Sequence, residues 1–354
     1  MRQHKSKNAK NLDYRLKTIN EDFEVTEVPL LPRFSKTGKY TYIWIQKSGF
    51  STFDAQDIIR DFFKLKNEDI NVEGLKDEDG ITAQILSLKK VLNSSQVALF
   101  NKKNLTPSSY IKIERIMGYG DTPVAEKMLH ANSFNLVVRN VHETIAEQVL
   151  KFCKNNKFVS FINYYDSQRF GMPGGPYNTH LIGKAIIDQD WKEAYKQFKL
   201  SGNKGLSENT IPSKKSTQDD FRDFFLTINP KKVNFFLSSY DSYLWNREVS
   251  KVLAENCKGS IDYFENVGDL FIPYGNIFKA PNIVSCAGHR LENDQKISKK
   301  DNTRCAITTT AVYVLDIADD EMNKGKKKIK LTFLLPTGSY ATMCVRQLIC
   351  KATE

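Results

Sequence analysis

Four short segments of the chain combine residue types that can do chemistry. One is Gly74-Leu75-Lys76-Asp77, which continues to Gly80, Thr82 and Gln84. The other three are Lys17-x5-Phe23, Asn163-Tyr164-Tyr165-Asp166-Ser167-Gln168-Arg169-Phe170-Gly171 and Leu335-Pro336-x-Gly338-x-Tyr340-Ala341-Thr342-x-x-Val345-Arg346. A carboxylate can act as a nucleophile or a general base, and an amide can both donate and accept hydrogen bonds. Each segment alone also has an ordinary explanation, because most loop aspartates are turn residues or helix caps.

Other groupings of reactive side chains are weaker. The adjacent carboxylates Asp77, Glu78 and Asp79 would suit a metal-dependent nuclease only if ligands from elsewhere converged with them, and no second acidic cluster is evident. Cys286 and His289 lack further ligands at metal-site spacing. The six cysteines contain no C-x-x-C pair, so no zinc ribbon or thioredoxin-like site is indicated. We therefore expect no metal site.

The first 170 residues, roughly, show the pattern of mixed α/β structure, and its elements must position these segments. Alternating apolar and polar side chains predict strands over residues 23–28 and 40–46. Ser51 or Thr52 is expected to cap a helix with one apolar face. A short strand over residues 69–73 would lead the chain into the segment that carries Asp77.

The rest of the chain divides at a turn. Strands are predicted over residues 110–116 and 134–138, and an amphipathic helix over 142–153. Residues 171–175 are rich in glycine and contain a proline, which predicts a turn. From there to about residue 304 the pattern favours helices, with polar joints near 201–207 and 293–302. The last fifty residues predict a strand (306–316), a Lys-rich loop (324–328), a strand (330–335) and a helix (340–350).

Charge and hydropathy restrict the class of protein. The 354-residue chain has a formal net charge of +11, which makes a polyanion a plausible partner because lysines and arginines displace counterions from phosphates. No apolar run is long enough to span a membrane. The N-terminus is basic, but no apolar segment follows it, so a secretory signal is not predicted.

Together the four segments closely resemble the TruD family of tRNA pseudouridine synthases, in the order in which that family carries them. The resemblance extends from about Lys17 to Ile349. It is most specific in Gln168-Arg169-Phe170-Gly171 and in the segment from Leu335 to Thr342. Weaker matches are Asn132-Ser-Phe134, before a strand ending in Arg139, and Ser239-x3-Tyr243-Leu244-Trp245-Asn246-Arg247.

This resemblance implies an α+β fold. We expect a pseudouridine-synthase catalytic domain, with a mostly antiparallel mixed sheet flanked by helices, and an inserted α/β TRUD-type domain. The catalytic domain would comprise residues 1–175 and 306–354, and the inserted domain residues 176–305. Both ends of the chain would then build one core around the insertion.

The resemblance also implies roles for individual residues. Asp77 would be the catalytic aspartate, acting at the ribose either as a nucleophile at C1′ or as a base that abstracts a sugar proton. Its ionised form would be favoured by a cation within about 4–6 Å, and Lys17 is the expected partner rather than the adjacent Lys76. The substrate base would meet a further set of side chains in a cleft between the two domains. That set is Phe23, Asn163, Tyr165 and Tyr340.

The implied substrate is tRNA, with the uridine at position 13 as the expected target. RNA contacts are expected from Arg169 and from Lys326, Lys327 and Lys328 in the Lys-rich loop, which could hold phosphate oxygens. The resemblance implies a cytoplasmic monomer with no membrane association, no metal and no other cofactor. The alternative is a catalytically silent tRNA-binding and folding module of the same fold, although such a module would have no need for the set formed by Lys17, Asp77 and Asn163.

Four positions depart from the family pattern. Tyr165 replaces a phenylalanine, Asp166 a glycine, Gly80 an alanine and Gln347 a glutamate. None of these changes removes a reacting group, so they indicate a divergent member of the family.

Overall fold

The computed structural model describes residues 13–30, 34–103, 109–124, 128–171, 175–201, 216–228, 230–264, 267–276, 283–292 and 295–354. The basic N-terminus, residues 172–174 of the predicted turn and most of the predicted joint at 201–207 lie outside these ranges. Two compact units are formed: the sheet unit, within Asp13–Val159 and Thr310–Ala341, and the second unit, within Ser160–Thr309 and Thr342–Glu354. The predicted domain boundaries after residues 175 and 305 remain a prediction.

In chain order the strands are β1 (Phe23–Pro29), β2 (Tyr40–Ser48), β3 (Ile70–Asn71), β4 (Ile81–Leu88), β5 (Tyr110–Gly120), β6 (Leu129–Val141), β7 (Val159–Ile162), β8 (Gly259–Phe264), β9 (Gly268–Pro273), β10 (Ile283–Leu291), β11 (Ile297–Cys305), β12 (Ile307–Thr310), β13 (Val312–Asp319) and β14 (Lys327–Pro336). The helices are α1 (Thr52–Phe63), α2 (Ser94–Lys103), α3 (Glu143–Asn155), α4 (Thr179–Ile187), α5 (Trp191–Leu200), α6 (Gln218–Thr227), α7 (Pro230–Asn256) and α8 (Ala341–Ala352).

The sheet unit is built on an eight-stranded sheet in the order β13-β14-β6-β1-β4-β2-β5, with β3 also beside β4. Strands β1 and β4 are parallel, and the other neighbouring strands are antiparallel. Strands β13 and β14 come from the C-terminal part of the chain and join the sheet through β6. The predicted mostly antiparallel mixed sheet is therefore confirmed.

The core of the sheet unit explains why β2 is so apolar. Successive side chains of a strand point to opposite faces of its sheet, and β2 is buried on both. Ile43 and Ile45 join an apolar cluster with helix α1, whereas Tyr42 and Trp44 pack on the opposite face. The predicted cap of α1 is confirmed, because the Ser51 side chain accepts a hydrogen bond from the Asp54 amide at 3.1 Å.

The second unit begins within β7, after which come helices α4 to α7 and then two hairpins. Its apolar core lies among α4, α5, α6 and α7. Gly183 allows α4 and α7 to approach closely, since a Cβ there would collide with the Phe236 carbonyl.

The sequence-based prediction of helices as far as residue 304 is wrong beyond Asn256. Residues 259–305 instead contain the hairpins β8–β9 and β10–β11. Strand β11, Ile-Ser-Lys-Lys-Asp-Asn-Thr-Arg-Cys, also occupies much of the predicted joint at 293–302. Because most of its side chains are polar, β11 lacks the alternation of apolar and polar residues that predicts a strand. The strand is instead defined by its backbone pairing with β10.

Candidate active site

The loop between β3 and β4 carries Asp77. The Lys17 ammonium lies 3.2 Å from the Asp77 carboxylate, and the two side chains are 13% and 26% exposed. The pair is therefore partly screened from water while Asp77 stays accessible. Lys17, rather than Lys76, therefore supplies the ammonium beside the Asp77 carboxylate, and its catalytic role remains a prediction.

Phe23 supports Lys17 from one side. The Lys17 ammonium lies 4.1 Å from the centroid of the Phe23 ring, within the range of a cation–π contact. The edge of that ring meets Phe134 at a centroid distance of 6.1 Å. Because Phe23 is only 2% exposed, its observed contact is with Lys17, and direct contact with a substrate base remains a prediction.

The segment that presents Lys17 and Phe23 is held by Arg139. Arg15 and Arg139 exchange backbone hydrogen bonds of 2.9 Å in both directions. The Arg139 guanidinium also contacts both carboxylate oxygens of Asp22 at 2.8 Å, and it pairs with Asp320 at 3.1 Å. Arg139 is one of the residues that match the family pattern. Its buried network anchors the segment with Lys17 and Phe23 at both ends, through Arg15 and Asp22.

Thr52 and Gln84 hold the loop that carries Asp77. The Thr52 hydroxyl accepts a hydrogen bond from the Lys76 amide at 2.8 Å. The Gln84 side chain donates to the Gly74 carbonyl at 3.2 Å. The glutamine of the Gly-x-Lys-Asp segment thus acts on the backbone of the loop.

Two buried lysines also meet this loop. Lys76 turns away from the carboxylate of Asp77 and pairs with Glu27 at 2.6 Å, while burial raises the pKa of Glu27. Lys47 is fully buried and donates to the carbonyl oxygen of Asp77 at 2.7 Å. Burial lowers the pKa of Lys47 to about 8, while the nearby Asp77 opposes that shift. Sequence reasoning missed Lys47, whose signal was a lysine at the end of an otherwise apolar strand.

Asn163 lies in the second unit, just after β7. Its backbone amide donates to the Ala306 carbonyl at 2.8 Å, and its own carbonyl accepts from the Arg304 guanidinium at 2.9 Å. The side-chain oxygen of Asn163 is buried and has no hydrogen-bond partner among the described residues. A buried acceptor of this kind calls for an explanation, and a bound ligand is one.

Tyr165 and Arg169 share an aromatic and cationic cluster in the same unit. The Arg304 guanidinium lies 3.9 Å from the centroid of the Tyr165 ring, and Trp245 meets that ring edge-on at 5.6 Å. Arg169 lies over the Phe235 ring at 5.2 Å and donates to the Ser242 hydroxyl at 3.0 Å. Arg304 was missed by sequence reasoning because it belongs to the polar strand β11.

Two of the positions that depart from the family pattern make specific bonds. Gln347 is fully buried, and it both accepts from the Ile162 amide at 2.8 Å and donates to the Ile162 carbonyl at 2.7 Å. Asp166 accepts from the Ser167 amide at 2.7 Å and from the Thr342 hydroxyl. Both side chains therefore fix the backbone next to Asn163 and Tyr165.

Tyr340 and the Lys-rich loop lie near the C-terminus. Tyr340 is half-buried and immediately precedes α8. The loop lies at the tip of the β13–β14 hairpin, but β14 already begins at Lys327, so Lys327 and Lys328 belong to the strand rather than to the predicted loop. Lys327 pairs with Asp319 at 2.9 Å and Lys328 with Glu321 at 2.6 Å. Part of the positive charge of these lysines is therefore compensated within the protein. Lys326 is half-buried, and RNA binding by all three lysines remains a prediction.

Two other kinds of feature, a metal site and a membrane-spanning helix, are absent from the described residues. Among the described residues, no three His, Cys, Asp or Glu side chains cluster in a way that could hold a metal ion. His289, considered above as a ligand, instead contacts Asp241 at 2.6 Å. None of the helices in the described ranges is both long and apolar enough to cross a membrane.

Comparison with known proteins identifies related sequences and one related fold. The sequence model of the tRNA pseudouridine synthase D (TruD) family matches residues 6–215. The tRNA pseudouridine synthases D of Leptospira interrogans and Aquifex aeolicus are each 25% identical to this chain, over 96% of its length and 97% and 99% of theirs. The crystal structure of a Methanosarcina mazei protein assigned to TruD matches with a TM-score of 0.60 and 18% identity, and the match covers 97% of this chain and 94% of that one.

Proposed function

Because the chain belongs to the tRNA pseudouridine synthase D (TruD) family, we propose that it isomerises uridine to pseudouridine in tRNA, with Asp77 as the catalytic residue. The observation that carries the proposal is the ion pair between Asp77 and Lys17, 3.2 Å apart. Its two residues lie in two of the four segments that match the family. The ribose of the substrate would meet a carboxylate whose side chain remains 26% exposed.

The reaction breaks the N1–C1′ bond of uridine, turns the uracil and joins C5 to C1′. Atoms and oxidation state are conserved, so the balance requires no co-reactant. Asp77 either forms a bond to C1′ as uracil leaves or removes a ribose proton to give a glycal. In both cases the Lys17 ammonium pairs with the Asp77 carboxylate before the reaction, and the C5 proton is lost after C5 joins C1′.

The uracil must leave the RNA stack before it reaches Asp77. We assign its recognition to Asn163, Tyr165 and Tyr340. The unpartnered side-chain oxygen of Asn163 can accept a hydrogen bond from uracil N3–H. Arg304 covers the Tyr165 ring at 3.9 Å, which fixes that ring and supplies positive charge near the RNA.

Binding of the whole tRNA would depend on charge. The net charge of +11 favours contacts with phosphates, and we assign such contacts to Arg169, Lys326, Lys327 and Lys328. We further propose uridine 13 as the target, a monomer as the active form and the cytoplasm as the place of action. The alternative, a catalytically silent tRNA-binding module, gives no reason for a carboxylate at a site that receives an anionic ligand.

The direct test is to incubate the protein with unmodified tRNA transcripts, once with EDTA and once without it. Pseudouridine is then mapped by primer extension after carbodiimide treatment. The proposal predicts a stop at position 13, which is absent from a transcript with cytidine there. Tight binding of several tRNAs without any stop would support the silent module instead, and RNA cleavage that EDTA abolishes would point to a nuclease.

A further inference from the structure

Lys47 is the most deeply buried charged group that contacts the Asp77 loop. Its side chain is fully buried, and it projects from the penultimate position of β2, opposite Thr82 of β4. Burying an ammonium is costly unless its hydrogen bonds are met, and a methionine of similar length would avoid that cost. The position of this lysine therefore calls for a specific reason.

The ammonium of Lys47 has three donors and three backbone carbonyl acceptors. The distances are 2.7 Å to Asp77, 2.8 Å to Phe50 and 3.4 Å to Lys76. One acceptor belongs to the turn after β2, and two belong to the loop. A further backbone bond, from the Gly49 amide to the Glu78 carbonyl at 3.3 Å, joins the same two segments.

The two loop carbonyls flank the Cα atom of Asp77. The Lys76 carbonyl lies in the peptide plane before that atom, and the Asp77 carbonyl lies in the plane after it. Peptide units are planar, so fixing both planes fixes the direction of the Cα–Cβ bond of Asp77. That bond determines whether the carboxylate faces Lys17.

We propose that Lys47 is a positioning residue, whose ammonium anchors the backbone on both sides of Asp77 and so aims its carboxylate at the ribose. Lys47 acts through the main chain and does not touch the substrate. The functional part rests on the proposed isomerase activity, whereas the anchoring of the loop does not.

The charged groups around Lys47 are consistent with this role. Asp77 and Glu78 in the loop and Asp54 in α1 favour the ammonium, while Lys76 and burial oppose it. An assay at pH 7 keeps Lys47 predominantly in the form that has three donors.

A matched control is available in Lys351. This residue is also buried, burial also lowers its pKa to about 8, and it also donates to a backbone carbonyl, that of Ser160, at 2.7 Å. It lies in α8 and belongs to the second unit, whereas the loop belongs to the sheet unit. Lys47→Met and Lys351→Met therefore remove the same kind of group at comparable depth.

The experiment compares these two variants with the unaltered protein at pH 7. For Lys47→Met we expect the single-turnover rate at saturating tRNA to fall about 100-fold, since misplacing a reacting group by about 1 Å has an effect of that size. The Kd for tRNA should stay within about threefold. Hydrogen exchange should accelerate at the Lys76 amide and in the rest of residues 72–80. For Lys351→Met, the single-turnover rate, the Kd for tRNA and hydrogen exchange in the loop should all stay within about threefold of the values for the unaltered protein.

Two results would overturn the proposal. One is a Lys47→Met protein with an unchanged rate and unchanged exchange in the loop. The other is an equal loss of rate in both variants, which would assign Lys47 a general role in stability. If Lys47→Met does not fold, Lys47→Gln, which keeps two donors, replaces it in the same comparison. If the unaltered protein makes no pseudouridine, the proposed function fails, while hydrogen exchange still tests the anchor.

Discussion

Single residues determine how Asp77 can react. The Lys17 ammonium lies 3.2 Å from its carboxylate, and that ammonium is itself held over the Phe23 ring. Lys17 adopts a left-handed backbone conformation with φ +56°, which is uncommon for a residue with a side chain and clusters at functional sites. The Arg139 network therefore stabilises a local geometry that the segment would not favour alone.

Removal of the Lys17 charge should impair catalysis more than binding. For Lys17→Met we expect a single-turnover rate about 30-fold lower, which corresponds to about 2 kcal/mol in the barrier. Lys66→Met is the control, because it removes the same charge from a side chain that is 79% exposed. Equal losses of rate in the two variants would mean that Lys17 contributes only to the overall attraction of RNA.

At the scale of elements, helix α1 and strands β2 and β4 form a frame around the Asp77 loop. Helix α1 supplies Thr52, β2 supplies Lys47 and β4 supplies Gln84, and each of these side chains bonds to the backbone of the loop. The elements therefore fix the loop through its main chain, which leaves the side chain of Asp77 available for chemistry.

Two neighbouring residues at the start of α1 allow an effect on protein stability to be distinguished from an effect on the position of the Asp77 loop. Ser51→Ala removes the helix cap and should destabilise the protein by about 1 kcal/mol. Thr52→Val removes the acceptor of the Lys76 amide and should destabilise it by a similar amount, about 1–2 kcal/mol. Only Thr52→Val should also lower the single-turnover rate, by about tenfold. Urea unfolding and rate measurements on both proteins test this, and equal rates would contradict it.

Of the elements that frame the loop, α1 and β2 were predictable from sequence because their patterns are strong, whereas β4 was not predicted. Ser51 followed by an amphipathic run predicted α1, and alternation predicted β1 and β2. The contacts of Lys47 and Arg304 were not predictable, since each depends on a partner distant in sequence. The same limit explains the failure over β8 to β11, where each strand is defined by backbone pairing with its partner strand and β11 in particular carries few apolar side chains.

At the scale of the whole molecule, the second unit contains a histidine that should make stability depend on pH. His180 is 2% exposed, and its ring stacks on Tyr243 at a centroid distance of 4.8 Å. Burial lowers its pKa from 6.5 to about 4. The neutral ring is therefore favoured in the folded state, whereas the unfolded chain takes up a proton below about pH 6.5.

Stability should consequently fall as the pH drops from 6.5 towards 4. The contribution of His180 to this loss is as much as about 3 kcal/mol. His180→Phe should remove that part of the pH dependence, whereas His142→Phe, at an exposed position, should retain it. Thermal unfolding of the three proteins over this pH range measures the effect, and parallel curves for all three would contradict it.

The central claim, that Asp77 performs the chemistry, is tested most directly by comparing two carboxylates of one loop. Asp77→Asn and the exposed Asp79→Asn each remove one negative charge. Both proteins are incubated with unmodified tRNA, and pseudouridine formation and tRNA binding are measured. Asp77→Asn should lose at least about 10⁴-fold in rate while it still binds tRNA, and Asp79→Asn should stay within about threefold. The account would be contradicted if the Asp77→Asn protein kept about a tenth or more of the original rate.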